Sequence, residues 1–251
     1  MPLVSEATLH LMNAPALSLE NLTASPEWTD IAARLDADGY ALLPRLLAPS
    51  ACESLVDLYD DDSLFRSTIV MARHNFGRGE YRYFKTPLPS LIQHMREALY
   101  APLAEIANEW FSRMKSEARF PATHEEFIRR CHLAGQARPT PLLLKYGAGD
   151  YNCLHQDLYG EHVFPLQIGV LLSQPQDDFT GGEFVLTEQR PRMQSRVEVV
   201  PLQQGDAVVF AVHERPVNGL RGVYRVNMRH GVSRIRAGQR YTLGLIFHDA
   251  T

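Results

Sequence analysis

Gln167-Ile168-Gly169-Val170-Leu171-Leu172 is the first of six short apolar runs in the C-terminal part of this 251-residue chain. The other runs lie at 183–187, 197–202, 207–212, 224–232 and 241–247. Breaks that contain proline or glycine separate them: Pro175, Gly181-Gly182, Gly205-Asp206, Gly219 and Gly238. Proline and glycine favour turns. Short strands at this spacing, without helical periodicity between them, predict an antiparallel double-sheet barrel.

A possible metal site precedes the first run, where the sequence reads His155-Gln156-Asp157. In an extended segment, residues i and i+2 point to the same side, so His155 and Asp157 can share one metal while Gln156 faces away. His230 would complete a two-histidine, one-carboxylate set, which suits non-heme Fe(II) because it leaves positions open for an oxidant. Zinc is disfavoured, since the three cysteines contain no CxxC pair. His213 is the alternative third ligand.

Arg240 begins the last apolar run, ten positions after His230. A guanidinium stays charged and can bind a carboxylate through two parallel hydrogen bonds. Arg240 is therefore the candidate anchor for a co-substrate with two carboxylates, one end of which chelates the iron. The alternative is that Arg240 is a solvated charge at the end of a strand.

The order and spacing of these motifs resemble the 2-oxoglutarate and Fe(II)-dependent dioxygenase superfamily, with a core like that of prolyl-4-hydroxylases. The similarity covers about the last 110 residues and rests on the segments 143–150, 155–157, 179–183, 205–210, 230–232 and 238–240. Upstream, residues 38–44 and 49–52 are similar to the usual N-terminal strand and helix start of such enzymes. The resemblance implies an α+β fold: a double-stranded β-helix of the jelly-roll or cupin type, with N-terminal helices packed on the sheet.

The resemblance also implies the chemistry and its residues. Fe(II) would be held by His155, Asp157 and His230, and 2-oxoglutarate by Arg240. Tyr146 is a candidate hydrogen-bond donor to 2-oxoglutarate, with a packed strand tyrosine as the alternative. O2 would be the oxidant and ascorbate a candidate reductant. Oxidative decarboxylation of 2-oxoglutarate to succinate and CO2 would be coupled to hydroxylation of a substrate C–H bond.

Within the superfamily the chain most resembles a bacterial group of oxygenases that act on nucleic acids, linked to oxidative dealkylation of damaged DNA. The similarity rests on residues 155–160, 187–196 and 247–250. The R-x-N-x-T-x-R signature of well-characterised alkylated-DNA dioxygenases is not retained, since residues 240–246 lack its Asn and its second Arg. Three functions stay open: DNA repair by dealkylation of alkylated DNA or RNA; hydroxylation of a peptide prolyl residue, a free amino acid or a small metabolite; and a catalytically silent metal-binding barrel.

Charge is unevenly distributed, although the net charge is only −4. Residues 1–62 contain eleven acids and two bases, whereas residues 187–240 contain ten arginines and four acids. A basic field around the predicted site would attract nucleic-acid phosphates or another anion. Arg190, Arg192 and Arg196 are candidate substrate contacts, with ordinary solvated strand edges as the alternative.

Residues 76–84 combine glycines, arginines and aromatic residues in a loop-like context, where enzymes of the resembled superfamily often place a substrate lid. Tyr81 and Tyr83 could stack a flipped base, and Arg78 could hold a phosphate. The alternative is a hairpin in which the two tyrosines share one face and pack in the core.

The length and a hydrophobic content of 45% predict a single dioxygenase domain over 1–251. We divide it into a flexible N-terminus at 1–25, a helical support region at 26–140 with helices at 26–38 and 88–114, and a jelly-roll core at 141–251. No apolar run approaches the roughly 20 residues of a membrane span, and the first 25 residues do not resemble a secretory signal. An odd number of cysteines fits a reducing compartment. We therefore expect a cytoplasmic protein without a membrane partner.

Overall fold

The computed structural model describes residues 27–220 and 222–251, so the predicted flexible N-terminus at 1–25 lies outside the described residues. The α-helices of this part are α1 (Glu27–Asp38), α2 (Pro49–Asp57), α3 (Ser90–Arg113) and α4 (His124–Leu133). Single 3₁₀ turns lie at Leu58–Asp60, Asp62–Leu64 and Met71–Arg73. Helices α1 and α3 confirm the two predicted helices. Among the described helices, none has the length and apolar character needed to cross a membrane.

The strands of the described residues run from β1 near α1 to β15 near the C-terminus. Their bounds are β1 Tyr40–Leu43, β2 Phe65–Val70, β3 Gly77–Arg78, β4 Glu80–Phe84, β5 Leu142–Tyr146, β6 Tyr151–His155, β7 Leu166–Leu171, β8 Phe179–Gly181, β9 Phe184–Gln189, β10 Arg196–Val200, β11 Ala207–Ala211, β12 Glu214–Gly219, β13 Gly222–Val232, β14 Ile235–Gly238 and β15 Arg240–Leu245. The six predicted runs are β7, β9, β10, β11, β13 and β15, with ends that shift by at most two residues.

These strands form two antiparallel sheets and one separate strand pair. The larger sheet has the order β1-β11-β7-β15-β5-β4-β2, and the smaller has the order β10-β9-β13-β6-β3, with β12 also paired to β13. Strands β8 and β14 pair with each other. The predicted mixture of helices and antiparallel sheets is therefore confirmed.

Strand β11 shows how the layers are stacked. Ala207, Val209 and Ala211 belong to a core shared with α1, α3 and α4, whereas Val208 and Phe210 belong to a core shared with the smaller sheet. Successive side chains of a strand point to opposite faces. The strand is apolar throughout because the helices cover one face of the larger sheet and the smaller sheet covers the other.

The region predicted as helical support at 26–140 also contributes strands, because β1, β2 and β4 extend the larger sheet and β3 joins the smaller one. The loop-like conformation expected at 76–84 is wrong, and the two strands found there do not pair with each other as a hairpin would. Strand β3 pairs with β6, and β4 pairs with both β2 and β5. Between β3 and β4, Gly79 has φ +110°, a value that glycine adopts readily, and the chain passes there from one sheet to the other.

Candidate metal centre and adjoining cavity

The three predicted metal ligands converge on the smaller sheet. His155 ends β6 and lies directly opposite His230 of β13, with their ring centroids 4.1 Å apart. Asp157 follows two residues after His155; its Oδ1 is 3.5 Å from His155 Nε2 and its Oδ2 is 3.3 Å from His230 Nε2. One potential ligand atom from each residue lies within 4.8 Å of the other two. The alternative ligand His213 lies at another surface cavity, between α3 and β12.

A β-bulge directs His155 towards this point. His155 pairs with His230, but the next pair is Asn152 with Val232, so Cys153 and Leu154 together face Gly231. In a regular strand, residues three apart point to opposite faces, yet Asn152 and His155 both line the same cavity. The extra residue of the bulge therefore places both side chains on the inner face.

We expect Gly231→Ala to weaken metal binding, because a Cβ at this position would lie 2.7 Å from the backbone oxygen of Asn152. The bulge would have to move and carry His155 with it. Co²⁺ titrated calorimetrically into metal-free protein should show a dissociation constant raised by about 10-fold or more, the range of losses for groups that orient metal ligands. Gly169→Ala is the matched control, since its Cβ would meet no heavy atom closer than 3.8 Å. Equal affinity in both variants would contradict the role of the bulge.

The protonation states suit metal binding. His155 Nδ1 lies 2.8 Å from the carbonyl oxygen of Cys153, so Nδ1 carries the proton and Nε2 keeps a free lone pair. Burial, assisted by His155, lowers the pKa of His230, which favours its neutral, ligating form. Burial raises the pKa of Asp157, but the neighbouring side chains of His230, His155 and Tyr159 outweigh it, and the pKa falls well below its usual range.

A cavity of about 190 Å³ adjoins the ligands and is lined by residues of both sheets. Aromatic side chains make up much of its wall: Phe76, Tyr81, Tyr83, Tyr146, Tyr159, Phe184 and Phe210. Gly169 of β7 and Gly244 of β15 are cross-strand partners and also line it. The walls of the cavity are therefore largely aromatic, and two positions of the larger sheet at the cavity carry no side chain.

Arg240 lies in this cavity and has no carboxylate partner. It is 1% exposed, and within residues 27–220 and 222–251 no acidic side chain comes within ion-pair distance. Its Nη1 donates to Thr242 Oγ1 at 2.5 Å, while its Nε is buried without a partner. Burial lowers its pKa to about 10, so it stays cationic at neutral pH. The solvated alternative for Arg240 is wrong.

Tyr146 lies directly opposite Arg240 in the β5–β15 pair. Its hydroxyl is buried and has no hydrogen bond of normal geometry to the described residues, although the Asn152 side chain lies near enough to lower its pKa. Burial raises its pKa, so the hydroxyl keeps its proton and can donate. The carboxamide oxygen of Gln167 is likewise buried, unpartnered and at the cavity. Buried polar groups usually have partners, so these atoms indicate a polar ligand.

The predicted substrate residues divide into two groups. Tyr81 and Tyr83 line the cavity, with their rings edge to face at 5.4 Å, so the expected common face is correct. The four arginines do not line it: Arg78, Arg190, Arg192 and Arg196. Arg78 is exposed near Asp150, and the other three lie at or beside the β9–β10 turn. Tyr159 was not among the predicted site residues. Its hydroxyl donates a hydrogen bond to Asp157, and its position two residues after this ligand could have indicated that contact.

A family model described as "Oxygenase, catalysing oxidative methylation of damaged DNA" matches residues 79–250, which include the metal cluster and Arg240. The chain belongs to this Oxygenase-NA family. Membership confirms the predicted oxygenase class and the predicted family. The Oxygenase-NA match begins between β3 and β4 and therefore includes both cavity tyrosines of β4.

Other comparisons identify relatives in sequence and proteins of similar fold. Two strains of Mycobacterium tuberculosis each have a protein, described as uncharacterized, that is 51% identical over 167 residues, which is 66% of this chain and 72% of the relative. An oxidoreductase of the 2OG-Fe(II) oxygenase family from Burkholderia pseudomallei has a TM-score of 0.51 at 14% identity, over 89% of this chain and 92% of that one. A prolyl hydroxylase from Trichoplax adhaerens, in complex with a hypoxia inducible factor peptide fragment, has a TM-score of 0.52 at 16% identity, over 93% of each chain. At these identities the two structures show a shared fold.

Proposed function

We propose that this chain is an Fe(II)- and 2-oxoglutarate-dependent dioxygenase that hydroxylates a C–H bond. The observation that carries the proposal is one cavity that contains both the His155–Asp157–His230 cluster and the unpaired cation of Arg240. Two neutral imidazoles and one carboxylate are the donor set that suits non-heme Fe(II). When bound, iron would supply O2 activation coupled to decarboxylation of 2-oxoglutarate.

The buried polar groups fit a dicarboxylate co-substrate. An unpaired buried charge is costly, and the distal carboxylate of 2-oxoglutarate would supply the missing countercharge to Arg240. Thr242, which already binds Arg240, and the Tyr146 hydroxyl would offer hydrogen bonds to the same group. Arg240, Tyr146 and Thr242 would thus orient the co-substrate, and the aromatic walls would exclude water from the reacting groups.

As substrate we propose an alkylated base of DNA or RNA. The family description supports damaged DNA, and the aromatic side chains at the cavity, Phe76, Tyr81 and Tyr83, offer flat surfaces to a base. Hydroxylation of an N-alkyl carbon would give a hemiaminal that loses an aldehyde and leaves the repaired base. Arg192 and Arg196, which are exposed at the β9–β10 turn, would contact phosphates outside the cavity, whereas Arg190 is partly buried and paired with Glu188.

A second candidate is a hydroxylase of a prolyl peptide, a free amino acid or a small metabolite. The lining of the cavity favours it, because the described residues there include no arginine other than Arg240 that would have to be matched by a substrate phosphate. With this substrate class the product would be a stable alcohol, and no aldehyde would be released.

Two measurements test these proposals. Succinate formation with Fe(II) and 2-oxoglutarate should be stimulated by methylated oligonucleotides over unmethylated ones of the same sequence, with release of formaldehyde. Absence of Fe-dependent succinate formation across oligonucleotides, prolyl peptides and amino acids would overturn the dioxygenase proposal. Affinity for single- and double-stranded DNA should fall steeply with salt, and a flat or absent salt dependence would exclude nucleic acid as substrate.

A further inference from the structure

One oxygen of the Asp157 carboxylate is engaged by a neighbouring side chain. The hydroxyl of Tyr159 donates a hydrogen bond to Asp157 Oδ1 at 2.7 Å. Oδ1 also lies 3.5 Å from His155 Nε2, and the other oxygen, Oδ2, lies 3.3 Å from His230 Nε2. The two carboxylate oxygens therefore differ in their surroundings, since Oδ1 has a lone pair committed to a phenol and Oδ2 has not.

Tyr159 is held from behind by Gln136, a fully buried residue. The Gln136 amide nitrogen donates to the carbonyl oxygens of Tyr159 at 3.0 Å and His162 at 3.2 Å, and its oxygen accepts from the backbone nitrogen of His162 at 2.7 Å. Gly160 packs against Gln136 so closely that a Cβ would lie 2.4 Å from its Cδ. Gln136, which follows α4, therefore fixes the backbone on both sides of Gly160 and with it the position of the Tyr159 side chain.

We propose that Tyr159 is a positioning residue that makes Asp157 a metal ligand through Oδ2. The inference rests on the proposed function, in which Asp157 binds a divalent metal. Without the phenol, the carboxylate could rotate or bind through both oxygens, and binding through both would fill a position that a facial ligand set must leave open. Groups that orient metal ligands in this way typically contribute a factor of about 10–100 to metal affinity.

Tyr159→Phe tests the inference because it removes the hydroxyl and keeps the ring. In calorimetric titrations of metal-free protein, the dissociation constant for Co²⁺ should rise about 10- to 100-fold, and the visible absorption of bound Co²⁺ should change. Tyr59→Phe is the matched control: Tyr59 is buried and also donates to a carboxylate, Glu80 at 3.1 Å, but does not line the cavity. It should bind Co²⁺ like the wild type. Wild-type affinity and absorption in Tyr159→Phe would overturn the inference.

A double-mutant cycle separates positioning from packing. In an Asp157→Ala background, Tyr159→Phe should cause no further loss of Co²⁺ affinity, because no carboxylate remains to be oriented. A further loss as large as in the wild-type background would show that Tyr159 acts through packing, and would overturn the inference. Thermal unfolding of each metal-free variant checks the fold, and Tyr159→Met provides a second variant without the hydroxyl. Failure of the wild type to bind Co²⁺ would instead reject the proposed metal site.

Discussion

Succinate formation should fall below detection when Asp157 is replaced by alanine. The substitution removes the carboxylate of the ligand set and leaves two imidazoles, which are neutral and cannot balance the charge of the metal. Groups that merely orient ligands cost about 10–100-fold in metal affinity when they are lost. Loss of a direct ligand should therefore weaken Co²⁺ binding by more than about 100-fold. The two measurements are succinate release with Fe(II) and 2-oxoglutarate, and calorimetric Co²⁺ titration.

Asp62→Ala is a suitable control for this experiment. Asp62 is also an aspartate, but its side chain is 89% exposed and pairs with Arg82 on the surface. The control should retain wild-type metal affinity and turnover. Wild-type Fe-dependence in Asp157→Ala would mean that the metal binds elsewhere, and would remove the basis of the proposed function.

Arg240→Met should weaken the binding of 2-oxoglutarate while the metal site stays intact. Removing one partner of a buried charge pair costs about 2–5 kcal/mol, so the KM for 2-oxoglutarate should rise by at least about 30-fold. Arg240→Lys should lie between the wild type and Arg240→Met, because lysine keeps the charge but loses the two-pronged geometry. Steady-state kinetics with 2-oxoglutarate as the varied substrate gives the KM, and Co²⁺ titration checks the metal site.

The stability of the same variant gives an independent test. Wild-type Arg240 is buried without a carboxylate partner among the described residues, so Arg240→Met should not lower the thermal midpoint of the ligand-free protein. Added 2-oxoglutarate should raise the midpoint of the metal-loaded wild type, as expected for a ligand of the folded state, but not that of the variant. Arg236→Met, at an exposed arginine of β14, should behave like the wild type. A normal ligand-induced shift in Arg240→Met would refute the anchoring role.

The metal cluster could be predicted from the sequence because two of its ligands are neighbours in the chain and the third lies on a strand that the apolar pattern reveals. His155 and Asp157 are two residues apart at the end of a strand, and His230 lies in a strand with strong apolar alternation. The bulge opposite Gly231 could not be predicted, because strand register depends on the partner strand. The same limit applies to residues 76–84, whose glycines suggested a loop although both strands find partners distant in sequence.

The arginine-rich segment shows a further limit of composition. Of the ten arginines counted at 187–240, Arg215 and Arg240 are almost entirely buried. Arg215 donates to the carbonyl oxygen of Asp36 at 2.6 Å and pairs with Glu188, so it ties β12 to α1 and β9. Counting charges along the chain does not reveal which face a side chain occupies. The exposed positive charge around the site is therefore smaller than the count suggested.

The paired glycines Gly169 and Gly244 contribute main chain alone to the cavity floor, and the side chain of Leu142 packs beside Gly244. Main chain in the middle of a hydrogen-bonded sheet has no rotamers to exchange. A molecule that binds there loses its own conformational freedom, but it does not restrict the rotamers of a glycine. Binding therefore avoids an entropy cost of about 0.5–1.5 kcal/mol for each side chain that would otherwise have to be ordered. At these two positions the contour of the floor thus depends on the backbones of β7 and β15 and not on side-chain rotamers.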